Sequence, residues 1–232
     1  MRRPDRAGKR AFDLVAGAAV LVLVSPLLAV IALLVRLDTP GPAWFRQIRL
    51  GRDGRPFAIF KFRTMRDGST HLGTGLETSR TDFRITRVGR ILRNLRLDEL
   101  PQLLNVLKGE MSLVGPRPLL PEFLPYYSEQ DRRRLEALPG MTGWQQVSGA
   151  ARHTWRERVA LDLWYVDHRS LGLDLRILWR TLGVLLRVDT VYAEDRSQRS
   201  GVPDAYAEVQ RRMGDPPAPA AGGEPGESPC RR

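Results

Sequence analysis

Cysteine is almost absent from this chain: Cys230 is the only one among 232 residues. No intrachain disulfide can form, and the fold needs no oxidising compartment. Histidine is nearly as scarce. His71, His153 and His168 fall at no metal-ligand spacing, so zinc is not expected. Glycine-rich phosphate cradles are missing too, since Gly73-Thr74-Gly75 is too short a signal and no Walker sequence occurs. No internal repeat is evident.

Positive charge, in contrast, is plentiful. Lysine and arginine number 37 against 26 acids, a formal net charge of +11, and arginine dominates the basic set. Arginine suits bidentate recognition of phosphate. Nucleic acid, anionic lipid headgroups and phosphorylated small molecules are therefore the partner classes to weigh. The length suits one domain with tails.

From Leu14 to Val35, 22 residues carry no charge. A straight helix of that length reaches about 33 Å, enough to cross a hydrocarbon core of ~30 Å. Ser25-Pro26 stands mid-run, where proline removes a backbone hydrogen bond and crowds the preceding turn. A break there leaves arms of roughly 10–12 residues that reach about mid-bilayer, with the Ser25 hydroxyl free to bond a nearby carbonyl. Basic residues flank both ends: Arg2, Arg3, Arg6, Lys9 and Arg10 before, Arg36, Arg46, Arg49, Arg52 and Arg55 after. Positive residues favour the cytoplasmic side, and a re-entrant helix puts both sets there. A kinked span stays open beside it. A cleaved signal peptide is disfavoured because the apolar run exceeds the usual length.

The expected organisation is a basic juxtamembrane arm over 1–10, a re-entrant membrane helix over 11–37, a cytosolic or interfacial catalytic domain over 38–195, and a disordered tail over 196–232. Trp44 to Leu50 and Phe57 to Arg63 flank an Asp53-Gly54 turn and read as a hairpin. Residues 67–81 read as a loop. Helices are expected over 84–96, 99–108, 121–138 and Trp155 to His168. Leu171 to Arg187 is amphipathic and either lies in the interface or covers the core. The fold class is mainly α with a small β-hairpin, a monotopic membrane protein with interfacial amphipathic helices.

Arg84, Arg87, Arg90, Arg93 and Arg96 recur every third residue, and Asp98-Glu99 follows them. On a helix such a ladder forms a positive, slowly winding face. Carboxylates beside that field stay ionised and can attract a cation or act on phosphate. The structural alternative is that Asp98 caps a helix Leu100–Lys108 and Glu99 favours its dipole. Val114-Gly115-Pro116-Arg117-Pro118 adds an arginine held by rigid prolines.

Lys9-Arg10-Ala11-Phe12-Asp13, Ser25-Pro26, Lys61-Phe62-Arg63-Thr64-Met65, Leu97-Asp98-Glu99-Leu100-Pro101-Gln102-Leu103, Met111 through Pro118 and Pro139-Gly140-Met141-Thr142-Gly143-Trp144 occur in that order. In these motifs the chain resembles the bacterial sugar transferases, the monotopic phosphoglycosyl transferases, from Lys9 to about Asp189. The resemblance implies a re-entrant helix on the cytoplasmic face of the bacterial inner membrane. It also implies transfer of a sugar-1-phosphate from a UDP-sugar to polyprenyl (undecaprenyl) phosphate, initiating exopolysaccharide or glycoconjugate synthesis. Asp98 would be the nucleophile and Mg2+ the cofactor. Arg96, Ser148-Gly149-Ala150 and Asp167-His168 depart from the family's usual residues.

The implied site has Asp98 and Glu99 as catalytic and metal-holding groups, with Lys61, Arg93 and Arg117 binding phosphate. For those three cations the alternative is headgroup binding or plain solvation. Asp162 and Asp174 either orient active-site arginines or are helix-surface carboxylates. A non-catalytic scaffold binding anionic membrane lipids is the second reading. A nucleic-acid binder is the third, and no recognition helix or stacking platform supports it. A homo-oligomer is compatible with every reading.

Overall fold

The computed structural model describes residues 6–66, 68, 69, 82–149 and 153–185. Expectations for residues 1–5, for nearly all of the 67–81 loop and for the 196–232 tail lie outside the described residues.

Helix α1 runs Arg6–Asp38 and contains Pro26. Proline has no N–H to give the carbonyl four residues back, which is that of Val22. The Ser25 hydroxyl supplies the donor instead, bonding Val22 O at 2.8 Å. The helical run therefore continues through Ser25-Pro26 instead of ending there; the missing N–H and the ring of proline bend a helix without terminating it. By length and composition α1 can cross a membrane.

Both ends of α1 are fastened to the same body. Near its start, Arg10 donates to Val106 O at 2.6 Å and Leu107 O at 3.0 Å, and Asp13 accepts from Leu113 N. Near its end, Asp38 accepts from Val88 N at 3.1 Å. Arg63 then clasps the exit, donating to Pro40 O and Thr39 O, both at 2.7 Å. Between these anchors Ile31 and Val35 are buried against Phe62 and Leu92, while Val22, Leu23 and Leu37 are exposed.

Strands β1 (Trp44–Leu50) and β2 (Pro56–Phe62) form the expected antiparallel hairpin, Trp44 opposite Phe62 and Leu50 opposite Pro56. Asp53 and Gly54 turn it with φ of 58° and 73°, a backbone region that Asp and Gly tolerate best. The arginine ladder is not one helical face. Helix α2 covers only Arg87–Asn94, and Arg84 lies before it, buried and bonded to Asp82. The helix expected over 99–108 is a 3-10 turn, Leu97–Gln102, followed by α3, Leu103–Lys108. Pro101 lies inside that turn, where its ring and missing N–H disfavour a regular α-helix.

Beyond α3, β3 (Ser112–Val114) pairs in parallel with β4 (Gly140–Thr142). The helix expected over 121–138 is three pieces instead: a 3-10 turn Pro121–Tyr126, α4 Glu129–Arg132 and a 3-10 turn Arg133–Glu136. Pro125 and the Ser128 capping box divide them. Helices α5 (Trp144–Val147), α6 (Trp155–His168) and α7 (Leu171–Leu185) close the fold. The principal core joins Leu103, Val106, Met111, Tyr165 and Ile177, with Phe12 and Ala16 of α1 against it. Helix α7 covers the core through buried Ile177, and its other side exposes Trp179, 75 % exposed, with Leu175 and Leu182.

Candidate active site

The 3-10 turn that carries the two acids is set by its entry and its floor. Arg96 enters it at φ 56°, in the left-handed region, and so turns the chain sharply out of α2. Neither the turn nor α3 has a side-chain cap, so Asp98 is not the capping residue of the alternative reading. Below, the fully buried Asn105 accepts from Phe60 N at 3.0 Å and donates to Ala58 O at 2.8 Å. One amide thus holds α3 against β2 and fixes the turn relative to Lys61. An asparagine inside an otherwise apolar Leu103–Leu107 stretch was the signal for it, and sequence reasoning passed over it.

All five expected site residues gather here. Lys61 reaches up from β2 to Glu99 Oε1 at 2.7 Å, and Arg117 Nη2 approaches the same oxygen at 3.3 Å. Arg93, in the last turn of α2, donates through Nε to Thr64 Oγ1 at 2.8 Å. Its charge acts on Asp98 together with that of Lys61. Ser25 and Pro26 belong to α1 and serve its continuity instead.

The two carboxyls are driven apart. Burial, and then the negative charge of Glu99, push Asp98 up to about 6, against the opposing pull of Lys61 and Arg93. Burial acts to raise Glu99 as well, but Lys61 and Arg117 outweigh it and hold that carboxyl well below the usual range. Adjacent acids with divided proton affinities have different roles. Glu99 is the permanently charged partner of two cations. Asp98 is the more basic carboxylate, ionised at neutral pH, and both of the close cations, Lys61 and Arg117, pair with Glu99 instead.

Arg117 is held from behind. The buried Arg134 donates to Arg117 O at 3.0 Å and also to Tyr127 Oη and Asp162 Oδ2. Asp162 is therefore no surface carboxylate; it orients an arginine that in turn positions Arg117. Burial works to lower the Arg134 guanidinium, but the Asp162 charge outweighs it and holds that group above its ordinary value. Asp174 is buried too, but its partners are Lys9 at 2.7 Å and the Tyr165 hydroxyl at 2.7 Å, so it ties α7 to α1 and orients no arginine. Replacing Asp162 by Asn should cost about 3–5 kcal/mol, since Arg134 is left buried without its counter-charge. Urea unfolding measures it, and an unchanged midpoint would refute the buttress.

Arg49 is a further member that the sequence did not single out. It donates to Pro118 O at 3.3 Å and Gln47 Oε1 at 2.7 Å; burial first, then the Arg117 charge, bring it down to about 10. An arginine in a strand reads as a solvent-facing residue until the partner loop is placed. Among the described residues no group of three or more His, Cys, Asp or Glu side chains can hold a metal. Asp98 and Glu99 are nonetheless the donor type that magnesium takes, one or two carboxylates with substrate phosphate and water completing the shell.

The family described as Bacterial sugar transferase matches residues 4–188. The chain is 47% identical over 178 residues to an uncharacterized sugar transferase, EpsL, of Bacillus subtilis, covering 77% of this chain and 87% of that protein. It is 46% identical to the UDP-glucose:undecaprenyl-phosphate glucose-1-phosphate transferase of Caulobacter vibrioides, over 79% of this chain and 72% of the relative. It is 41% identical to the undecaprenyl-phosphate galactose phosphotransferase of Salmonella typhimurium, over 82% of this chain but only 43% of that longer protein. The arrangement of Asp98, Glu99, Lys61 and Arg117 thus sits inside the matched region, and the chain belongs to the bacterial sugar transferase family.

Proposed function

We propose that this chain transfers a sugar-1-phosphate from a UDP-sugar to undecaprenyl phosphate, through a covalent intermediate on Asp98. The observation that carries the reading is the division of labour in the acid pair: Glu99 neutralised by Lys61 and Arg117, Asp98 left as the more basic carboxylate beside them.

An Asp98 carboxylate oxygen attacks the phosphorus that bears the sugar. The bond from that phosphorus to the bridging oxygen breaks, its electron pair leaves with the nucleotide, and UMP departs. A phosphate oxygen of the polyprenyl carrier then attacks the same phosphorus, and Asp98 leaves as a carboxylate, its original state. Two easier displacements replace one exchange between a water-soluble and a lipid substrate. Lys61, Arg93 and Arg117 supply fixed positive charge where the transferring phosphoryl group gains negative charge. Magnesium held by Asp98 and Glu99 would offset diphosphate charge and assist the leaving group.

Purified full-length chain should release UMP from at least one of UDP-glucose, UDP-galactose or an N-acetylated analogue when undecaprenyl phosphate and magnesium are present. EDTA should stop release, and magnesium should restore it. No release from any of these donors would sink the reading.

The membrane arrangement follows from α1. One body holds both Arg10 and Asp38, so a perpendicular crossing would drag that body through the bilayer. We infer that α1 dips in and returns, leaving both ends on the cytoplasmic face of the inner membrane, where the product would start exopolysaccharide or glycoconjugate assembly. Cysteines placed at 5 and 50, in a Cys230→Ser background, should both resist a membrane-impermeant thiol reagent added to intact spheroplasts. Labelling of position 5 alone would show a crossing. A lipid-binding scaffold has no use for the Lys61–Glu99–Arg117 constellation and is the weaker reading.

A further inference from the structure

Arg117 faces Glu99 and also lines a second feature, a cleft of about 160 Å3 beside the acid pair. That space suits one ring of a ligand, well short of the several hundred Å3 typical of whole drug-sized ligands. Its walls differ in chemistry. Arg117 and Arg49 place guanidinium charge on the side toward Glu99. Trp155 and Tyr127, edge to face at 5.0 Å, give an aromatic wall.

The informative residue is Gln145 of α5. It lines the cleft, its side chain is buried to all but 5 %, and its Oε1 has no hydrogen-bond partner among the described residues. A buried carbonyl oxygen without a donor is costly, and such an atom in a cleft calls for a ligand that brings an N–H or O–H. The Arg49 Nε in the same wall is likewise buried and unpaired among the described residues.

We propose that this cleft is the nucleoside subsite of the donor, with Gln145 Oε1 accepting from the ring N3–H of uracil. The assignment rests on the sugar-nucleotide reading of the Asp98 site. The phosphate of the nucleotide then lies toward Arg117 and Arg49, and the base enters between the aromatic wall and Gln145. Uracil offers a donor at N3, where cytosine offers an acceptor that would face Oε1 lone pair to lone pair. The cleft thereby selects uracil over cytosine by one hydrogen bond.

Calorimetric titration of the full chain with UMP, CMP and N3-methyl-UMP tests this without requiring turnover. Wild-type protein should bind UMP about tenfold more tightly than CMP or N3-methyl-UMP, the size of one buried hydrogen bond. In Gln145→Met the preference should vanish, with no fall in Tm, because methionine keeps the length and removes the orphaned carbonyl. Equal affinity of wild type for the three nucleotides would overturn the proposal, as would an unchanged preference in the variant. If no UDP-sugar yields UMP, the transferase reading fails; if UMP is released but the three nucleotides bind alike, only the subsite fails.

Discussion

Asp98→Asn should lower turnover by about 10^4-fold or more, since an amide oxygen cannot stand in for the attacking carboxylate. Glu99 is a poor substitute nucleophile, because Lys61 and Arg117 hold its charge and its oxygen. The variant should fold at least as well as wild type, and the sign follows from linkage. With its folded value raised to about 6, the Asp98 carboxyl binds a proton more tightly in the native state than in the unfolded chain. Stability then falls as pH rises through that window, and at neutral pH the ionised group is a burden that asparagine lacks. Lost activity with retained or raised Tm marks a residue kept for chemistry. Retained activity would remove Asp98 from the reaction.

Lys61→Met should reduce turnover by about 10^2–10^3-fold, the usual scale for one preorganised charge at a developing anion. Its second effect has a direction. Lys61 is the foremost of the charges that draw both carboxyls down, so its loss raises Asp98 further. Activity in the wild type should fall on the acid side below about pH 6, where the nucleophile takes up its proton. In Lys61→Met that acid limb should move to higher pH. Glu99→Gln should shift it the other way, because the neighbouring negative charge is gone. A pH–rate profile of the three proteins decides it; limbs that coincide would separate Lys61 from the ionisation of Asp98. The two acids titrate as a pair, so the limb reports their joint behaviour.

Much of this site was legible because local sequence dictated it. The alternation around Asp53-Gly54 gave the hairpin that lifts Lys61, and the prolines around Arg117 announced a fixed direction for that side chain. Three things were not legible, each for a physical reason. The arginine spacing suggested one helical face, yet Arg84 is drawn into the interior by Asp82 and Arg96 adopts a left-handed backbone. Proline at 26 suggested that the helix ends there, whereas the helical run continues through it with the Ser25 hydroxyl bonded to Val22 O. The Asp162–Arg134 buttress and Arg49 depend on contacts 28 and 69 residues apart, which no local pattern encodes. Fold class and acid pair come from short-range rules, whereas the supporting shell comes from long-range packing.

The most direct measurement is intact-protein mass spectrometry of chain incubated with magnesium and a donor sugar nucleotide, with undecaprenyl phosphate withheld. A mass gain of one phosphosugar is expected, located on Asp98 by peptide mapping, absent from Asp98→Asn and discharged when the carrier is added. A chain that turns over with carrier present yet shows no adduct without it, or carries the adduct on another residue, would rule out Asp98 as the covalent relay.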